Sequence, residues 1–302
     1  LTHYILAFIS FITTIDLLTV YKIAPWLFLG PLIYAIYFFI RQFDKEYALL
    51  GTTFFLLIPI YLHTFYVGEF ARIPGLIFAL FSLGYLKQHL IKEKKRALVF
   101  SGIFYALTIF SHIYATAIVT VVLLYWIIEQ KLVNKKDSPI LALIIGLAIA
   151  SPWLIFVIKN YGFFYLFQVF TSHSGNVVSY IPYIAIGLLF LPLVKGIYKK
   201  KFHSTILIFF ILSLISRAFI MVPISYYFSK WTHLLIKNKK IIKKLTLTLI
   251  VISFIVFSLI LTSSYSEPYL TEEKFEAINW IKENTQEDSK FLFFDTIMYT
   301  EF

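Results

Sequence analysis

Long apolar runs, interrupted by short polar and basic stretches, dominate this chain. A membrane-spanning helix needs roughly 20 mostly apolar residues, with a range of about 17–25. On that measure the pattern predicts about ten transmembrane or partial helices, near 24–42, 47–66, 73–90, 97–112, 113–130, 138–158, 181–198, 204–222, 224–236 and 245–263. Segments 97–112 and 113–130 run on without a polar loop, and the break between them is placed at Ser111-His112. One long helix or a buried turn fits that stretch equally well. The segment 224–236 reads as a re-entrant or partial span, and residues 1–20 as interfacial or half-inserted.

After Tyr265 the pattern changes. Residues 271–290 are largely polar, with Thr271 suited to cap a helix and Glu272 and Glu273 in its first turn, where the helix dipole favours negative charge. Phe275, Ile278 and Ile281 fall on one helical stripe, and Phe291-Leu-Phe-Phe then reads as a buried strand before Asp295. The predicted fold class is therefore an all-α polytopic membrane protein followed by the start of an extracytoplasmic α/β domain. Residues 1–263 form the transmembrane helical domain and 264–302 the truncated beginning of the second. Leu1 in place of Met, and an end at Phe302 just after this segment begins, read as an internal piece of a longer protein.

Composition sharpens the picture. Of 302 residues, 60% are hydrophobic and only 14% charged, where a soluble domain carries about 25% charged residues. That excludes a water-soluble globular enzyme and an intrinsically disordered chain. There is no cysteine, so disulfides, thiolate zinc sites and iron–sulfur clusters drop out. The formal net charge of +11 is unevenly distributed. Alternating spans put Arg41, Lys45, Lys87, Lys92, Lys94, Lys95, Arg96 and the later lysine clusters on one side, and only Lys22, Arg72 and Lys159 on the other before the polar tail. Positive residues stay on the cytoplasmic face. The expected location is the cell membrane, multi-pass, with the C-terminal segment outside. The basic clusters read as topology and contact with anionic membrane lipid, not as a nucleic-acid surface.

Ionisable groups at the edge of a span are costly, so each is weighed as a site. The densest stretch is Gly68-Glu69-Phe-Ala-Arg72-Ile-Pro74, in an expected short outer loop. Glu69 and Arg72 are spaced to pair on one helical face. They form either a local ion pair or a working set, in which Glu69 holds a divalent cation or an acceptor and Arg72 an anionic group. Arg217 lies deep in a segment, nearer its outer end, and fits a lipid phosphate, a snorkelling role or backbone carbonyls. His112 is a helix–helix hydrogen-bond partner or a substrate contact. Asp16 suits a helix cap, while His173 and Asp295 sit in outer segments where exposed or loop-entry roles suffice. No P-loop, nucleophile elbow, H-E-x-x-H or potassium-filter motif occurs.

The order of these features resembles a known family. His3-Tyr, Thr13-Thr-Ile-Asp16, Tyr21-Lys-Ile-Ala-Pro25, Gly30-Pro-Leu, Gly68-Glu-Phe-Ala-Arg-Ile-Pro74, Ser111-His112 and the tail Glu276-Ala-Ile-Asn-Trp-Ile-Lys-Glu-Asn-Thr285 together resemble the polytopic GT-C glycosyltransferases. The likeness is to the branch of oligosaccharyltransferase catalytic subunits and protein mannosyltransferases. The resemblance implies transfer of a sugar from a polyprenyl-phosphate-linked donor to an acceptor on the outer face. It implies Glu69 as catalytic residue and as ligand of a divalent cation (Mg or Mn), and Arg72, His112 and Arg217 as substrate-binding residues. The family's first-loop acidic motif would precede Leu1. A multi-pass transporter, a lipid-carrier flippase and a non-catalytic membrane scaffold are the rival readings.

Overall fold

The computed structural model describes residues 2–57, 71–132, 138–162 and 217–237, together with 276, 280, 283 and 284. Helix α1 (Thr2–Thr13) leads into α2 (Leu17–Phe43), followed by the short α3 (Ala48–Leu56). Then come α4 (Arg72–Lys92), α5 (Lys95–Ser111), α6 (Ile113–Leu132), α7 (Ser138–Tyr161) and α8 (Arg217–Lys237).

Local chemistry sets several boundaries. The Asp16 side chain caps α2, accepting a hydrogen bond from the Thr19 N–H at 3.1 Å. Pro74 stands in the first turn of α4, where its missing N–H deprives no carbonyl. Helix α4 stops at Glu93, which takes the left-handed conformation with φ 53° and returns its N–H to the His89 carbonyl.

Helix α4 is the hub. It packs along α5 on one side and α2 on the other, with α6 behind it, while α5 in turn carries α7 and α8 lies on α3. Aromatic rings fill the α2–α4–α5 seam: Phe38 meets Tyr85 at 4.7 Å between ring centroids, and Phe81 meets Phe104 at 4.9 Å. The α4–α5 contact also carries a reciprocal polar clasp. Ser82 donates to the Ser101 carbonyl at 3.0 Å and Ser101 to the Ser82 carbonyl at 2.8 Å, both side chains buried. Small residues let the helices approach closely enough for such a clasp. Glycine does the same for α5 against α7: a Cβ on Gly102 would lie 2.5 Å from Ile145 Cγ2.

Two stretches, Thr19–Phe43 and Pro139–Tyr161, are long and apolar enough to cross a membrane. The outer surface of α7 bears Leu141, Ile144, Leu147, Ile155 and Phe156, all exposed within the bundle. An apolar surface of that extent suits lipid rather than water.

The expectation of about ten spans is therefore corrected. The described residues hold eight helices, of which two meet the requirements of a span. The physical reason lies in length and in polar turns. Helix α3 has nine residues, about 14 Å of rise, far below the bilayer core. The apolar part of α6 is Ile113–Ile127, also short. Helix α5 opens on Lys95-Arg96, the last turns of α4 hold Lys87-Gln88-His89 and Lys92, and α8 includes Lys230, Thr232 and His233. Helix α8 also joins what the pattern divided at 222–224. It continues through Pro223, held by buried Met221 and Val222 before the proline and Ile224, Ser225 and Tyr226 after it.

The expected α/β domain is corrected likewise. No strand occurs among the described residues, and Glu276, Trp280, Glu283 and Asn284 in the tail are helical. Alternating apolar runs alone do not make a sheet, because a strand needs a partner edge. The strand expected at 291–294, the segments 181–198 and 245–263, and most of 204–222 lie outside the described residues.

Candidate functional site

The two ends of the bundle differ. At one end the loop after α2 meets the far part of α8: Glu46 Oε2 lies 3.6 Å from His233 Nε2, and the Tyr47 ring stands edge-on to His233 at 5.2 Å. Burial pushes the Tyr47 hydroxyl above its ordinary pKa, and the carboxylates of Asp44 and Glu46 push it the same way, so it stays protonated at neutral pH. Lys87 lies at the same end, its Nζ 5.5 Å from the Phe43 ring centroid and 5.9 Å from that of Trp126.

The candidate site is at the opposite end, where α4 begins, α5 turns into α6 and the described part of α8 begins. His112 makes the turn. Its backbone is extended, with φ −158° and ψ 124°, so α5 ends at Ser111 and α6 starts at Ile113. The ring serves the new helix as a cap: Nδ1 accepts from the Ala115 N–H at 3.4 Å. An imidazole nitrogen that accepts carries no proton, so the ring N–H is on Nε2.

Gly75, one turn into α4, lets the break approach. A Cβ placed there would lie 2.6 Å from His112 Cβ and 3.4 Å from Ala115 Cβ. Phe219 of α8 covers the ring from the other side, with centroids 6.5 Å apart and planes within 28°. Tyr114 flanks it at 5.6 Å. Three elements far apart in sequence thus meet around one imidazole.

Arg72 and Arg217 belong to the same end. Arg72 is the first residue of α4, three before Gly75, and half-buried. Ala71 precedes it and offers no side-chain cap, so the first amides of α4 are served by no side chain of that residue. Arg217 is the first described residue of α8, two before Phe219. A helix start and two arginine positions at the same end as His112 suit an oxyanion of a phosphate ester. Glu69, expected as catalytic and metal-holding, and His173 and Asp295 lie outside the described residues. Among the described residues, no three His, Asp or Glu side chains come together as a metal site.

The capping role of His112 and the importance of Gly75 and Phe219 were not legible beforehand. A histidine between two apolar runs hints at a break, but which helices close on it depends on long-range packing.

The fold defines a helical membrane protein. Its family follows from residues 1–165, which match the model of the 6-pyruvoyl-tetrahydropterin synthase related domain, a family of membrane proteins; the chain belongs to that family. No curated protein matches the chain. The family match overturns the resemblance to GT-C glycosyltransferases. Most of the patterns behind that resemblance, from His3-Tyr to Ser111-His112, lie inside the matched residues. They are short runs of residue types that any helix end at a membrane edge favours: a capping Asp, a Gly-Glu turn, a Pro in the first turn and an Arg near the headgroups.

Proposed function

We propose that this protein is an integral membrane glycosyltransferase that takes a sugar from a polyprenyl-phosphate-linked donor, at the bundle end where α4, the α5–α6 break and α8 meet. The observation that carries the reading is the enclosure of His112 by Gly75 and Phe219, with Arg72 and Arg217 close by in sequence on the same two helices. That geometry supports a phosphate ester at this end; the sugar and its polyprenyl carrier are the expectation formed on the sequence.

In this reaction the acceptor oxygen attacks the anomeric carbon of the sugar. The bond from that carbon to the donor phosphate oxygen breaks, and the phosphate leaves with the electron pair. Arg72 and Arg217 neutralise the leaving charge, which is worth most where water is scarce. The Nε2–H of His112 donates to a phosphate or sugar oxygen. Glu69, three residues before Arg72, takes the acceptor's proton. A divalent cation held by Glu69 remains part of the proposal as a second neutralising charge, and no step here depends on it.

The same reading has the protein multi-pass. The basic end faces the cytoplasm, and the His112 end and the C-terminal segment face outward. The donor then reaches the site from the outer leaflet.

The test is transfer of a radiolabelled sugar from a polyprenyl-phosphate donor by the purified full-length protein. Glu69→Ala, Arg72→Ala and Arg217→Ala are each expected to lower the rate at least about tenfold, roughly 1.4 kcal/mol or more of lost transition-state stabilisation. Full activity in all three folded variants sinks the site assignment. Absence of any transfer, with movement of lipid-linked sugar across sealed vesicles instead, replaces the enzyme by a lipid-carrier flippase.

A further inference from the structure

A cleft of about 560 Å³ opens at the basic end, between the C-terminal turns of α2 and α4. It is remote from the His112 end, and the proposed transfer chemistry makes no use of it. Its rim carries three cations, Arg41 and Lys45 from the end of α2 and the loop after it, and Lys92 from the last residue of α4. No carboxylate lines it. The carboxylates nearest in sequence, Asp44, Glu46 and Glu93, stand outside the lining; Asp44 accepts from the Glu46 N–H, and Glu46 faces His233. Gln42 and Gln88 add amides between the cations, with Gln42 Nε2 donating to the Phe38 carbonyl at 3.2 Å.

Three like charges around one cleft repel each other unless an anion joins them. The C-terminal dipoles of α2 and α4 account for a cation at each helix end, but not for their convergence on a shared cavity.

The inner wall is different in kind. Phe38 lies at the base, and Tyr34 and Ile91 form apolar sides. Tyr34 and Ile91 are each 56% exposed. Tyr34 stands seven residues before Arg41 on the stretch fit to span the membrane, about 10 Å deeper along the helix axis. The cleft thus has a cationic mouth, with Ile91 beside Lys92 at its rim, and reaches inward along α2 to the Phe38 and Tyr34 rings.

We propose that this cleft binds one anionic phospholipid, with the phosphate between Arg41, Lys45 and Lys92 and the first methylenes of an acyl chain along Phe38 and Tyr34. The shared chemistry is a phosphate oxyanion, for which a soluble phosphate is the other source. The apolar wall favours the lipid.

The experiment is native mass spectrometry of the full chain released from micelles doped with equal phosphatidylglycerol and phosphatidylcholine. The expected result is one retained lipid, with phosphatidylglycerol favoured at least about fivefold, falling to near parity in R41A/K45A/K92A. The variant K95A/R96A removes two cations from the same end but not from the cleft, and is expected to keep the preference. Lys45→Gln and Lys92→Gln alter exposed side chains singly and keep the test intact should the triple variant not fold; each is expected to lower the preference about twofold. Parity in the unmodified protein overturns the proposal, as does equal loss in K95A/R96A. Retention that about 10 mM inorganic phosphate abolishes, and that is the same with and without the anionic lipid, assigns the cleft to soluble phosphate and overturns the lipid.

Discussion

His112 combines two roles that a substitution can separate. Its Nδ1 caps α6, and its Nε2 carries the ring N–H. An asparagine keeps a capping oxygen but not an imidazole donor. His112→Ala is expected to destabilise the protein by about 1 kcal/mol, and His112→Asn by less than half of that. Both are expected to slow sugar transfer to a similar degree, because both lose the ring. Thermal unfolding in one detergent, measured beside the transfer rate, checks this; an asparagine variant with full transfer rules out a donor role. Gly75 gives a steric test of the same site. The Cβ it lacks would crowd His112 Cβ at 2.6 Å, so Gly75→Val is expected to push the α5–α6 break away from α4 and reduce transfer at least about tenfold, with a loss of about 1–3 kcal/mol in stability. Wild-type activity in Gly75→Val shows that the close approach is not required.

Helices in this bundle are held by close approach and small polar groups as much as by apolar bulk. Ser82 and Ser101 exchange hydrogen bonds across the α4–α5 seam, and each hydroxyl is buried. Removing both leaves two carbonyls that already serve their own helices. The double variant Ser82→Ala with Ser101→Ala is thus expected to cost about 1–2 kcal/mol on unfolding, divided between the single variants because each hydroxyl donates to a backbone carbonyl that the other substitution leaves in place. No loss of stability in either single variant contradicts the clasp. Helix existence was largely legible in the sequence, since each described helix beyond the first overlaps an apolar run of the pattern. The break at Ser111-His112 and the cap at Asp16 were legible too, because both follow from local chemistry. The number of spans was not. A window of apolar residues counts α4, α5, α6 and α8 alike, although their polar turns and short apolar lengths set them apart from the stretches Thr19–Phe43 and Pro139–Tyr161.

At the scale of the whole molecule the two ends carry opposite duties in the readings proposed above. These 302 residues hold no cysteine, so an introduced thiol is the only one among them and labelling at it is simple to follow. Lys94→Cys, in the exposed turn between α4 and α5, is expected to react with a membrane-impermeant maleimide only after the cells are opened. Gly162→Cys is expected to react on intact cells. It follows α7, and its φ of 83° makes a modest strain the price of the probe. The reverse labelling pattern inverts the topology and moves the candidate site to the cytoplasmic face. The sequence by itself determined that the chain is a helical membrane protein, where most of its helices start, and that its positive charge alternates along the chain. Those properties depend on composition and on neighbours within a few residues. Only the tertiary structure decided that Gly75, His112 and Phe219 share one end and that Arg41, Lys45 and Lys92 share one cleft. Such meetings depend on which helix faces pack and in what order, and hydrophobic periodicity specifies that a helix has an apolar face without specifying which face it will meet.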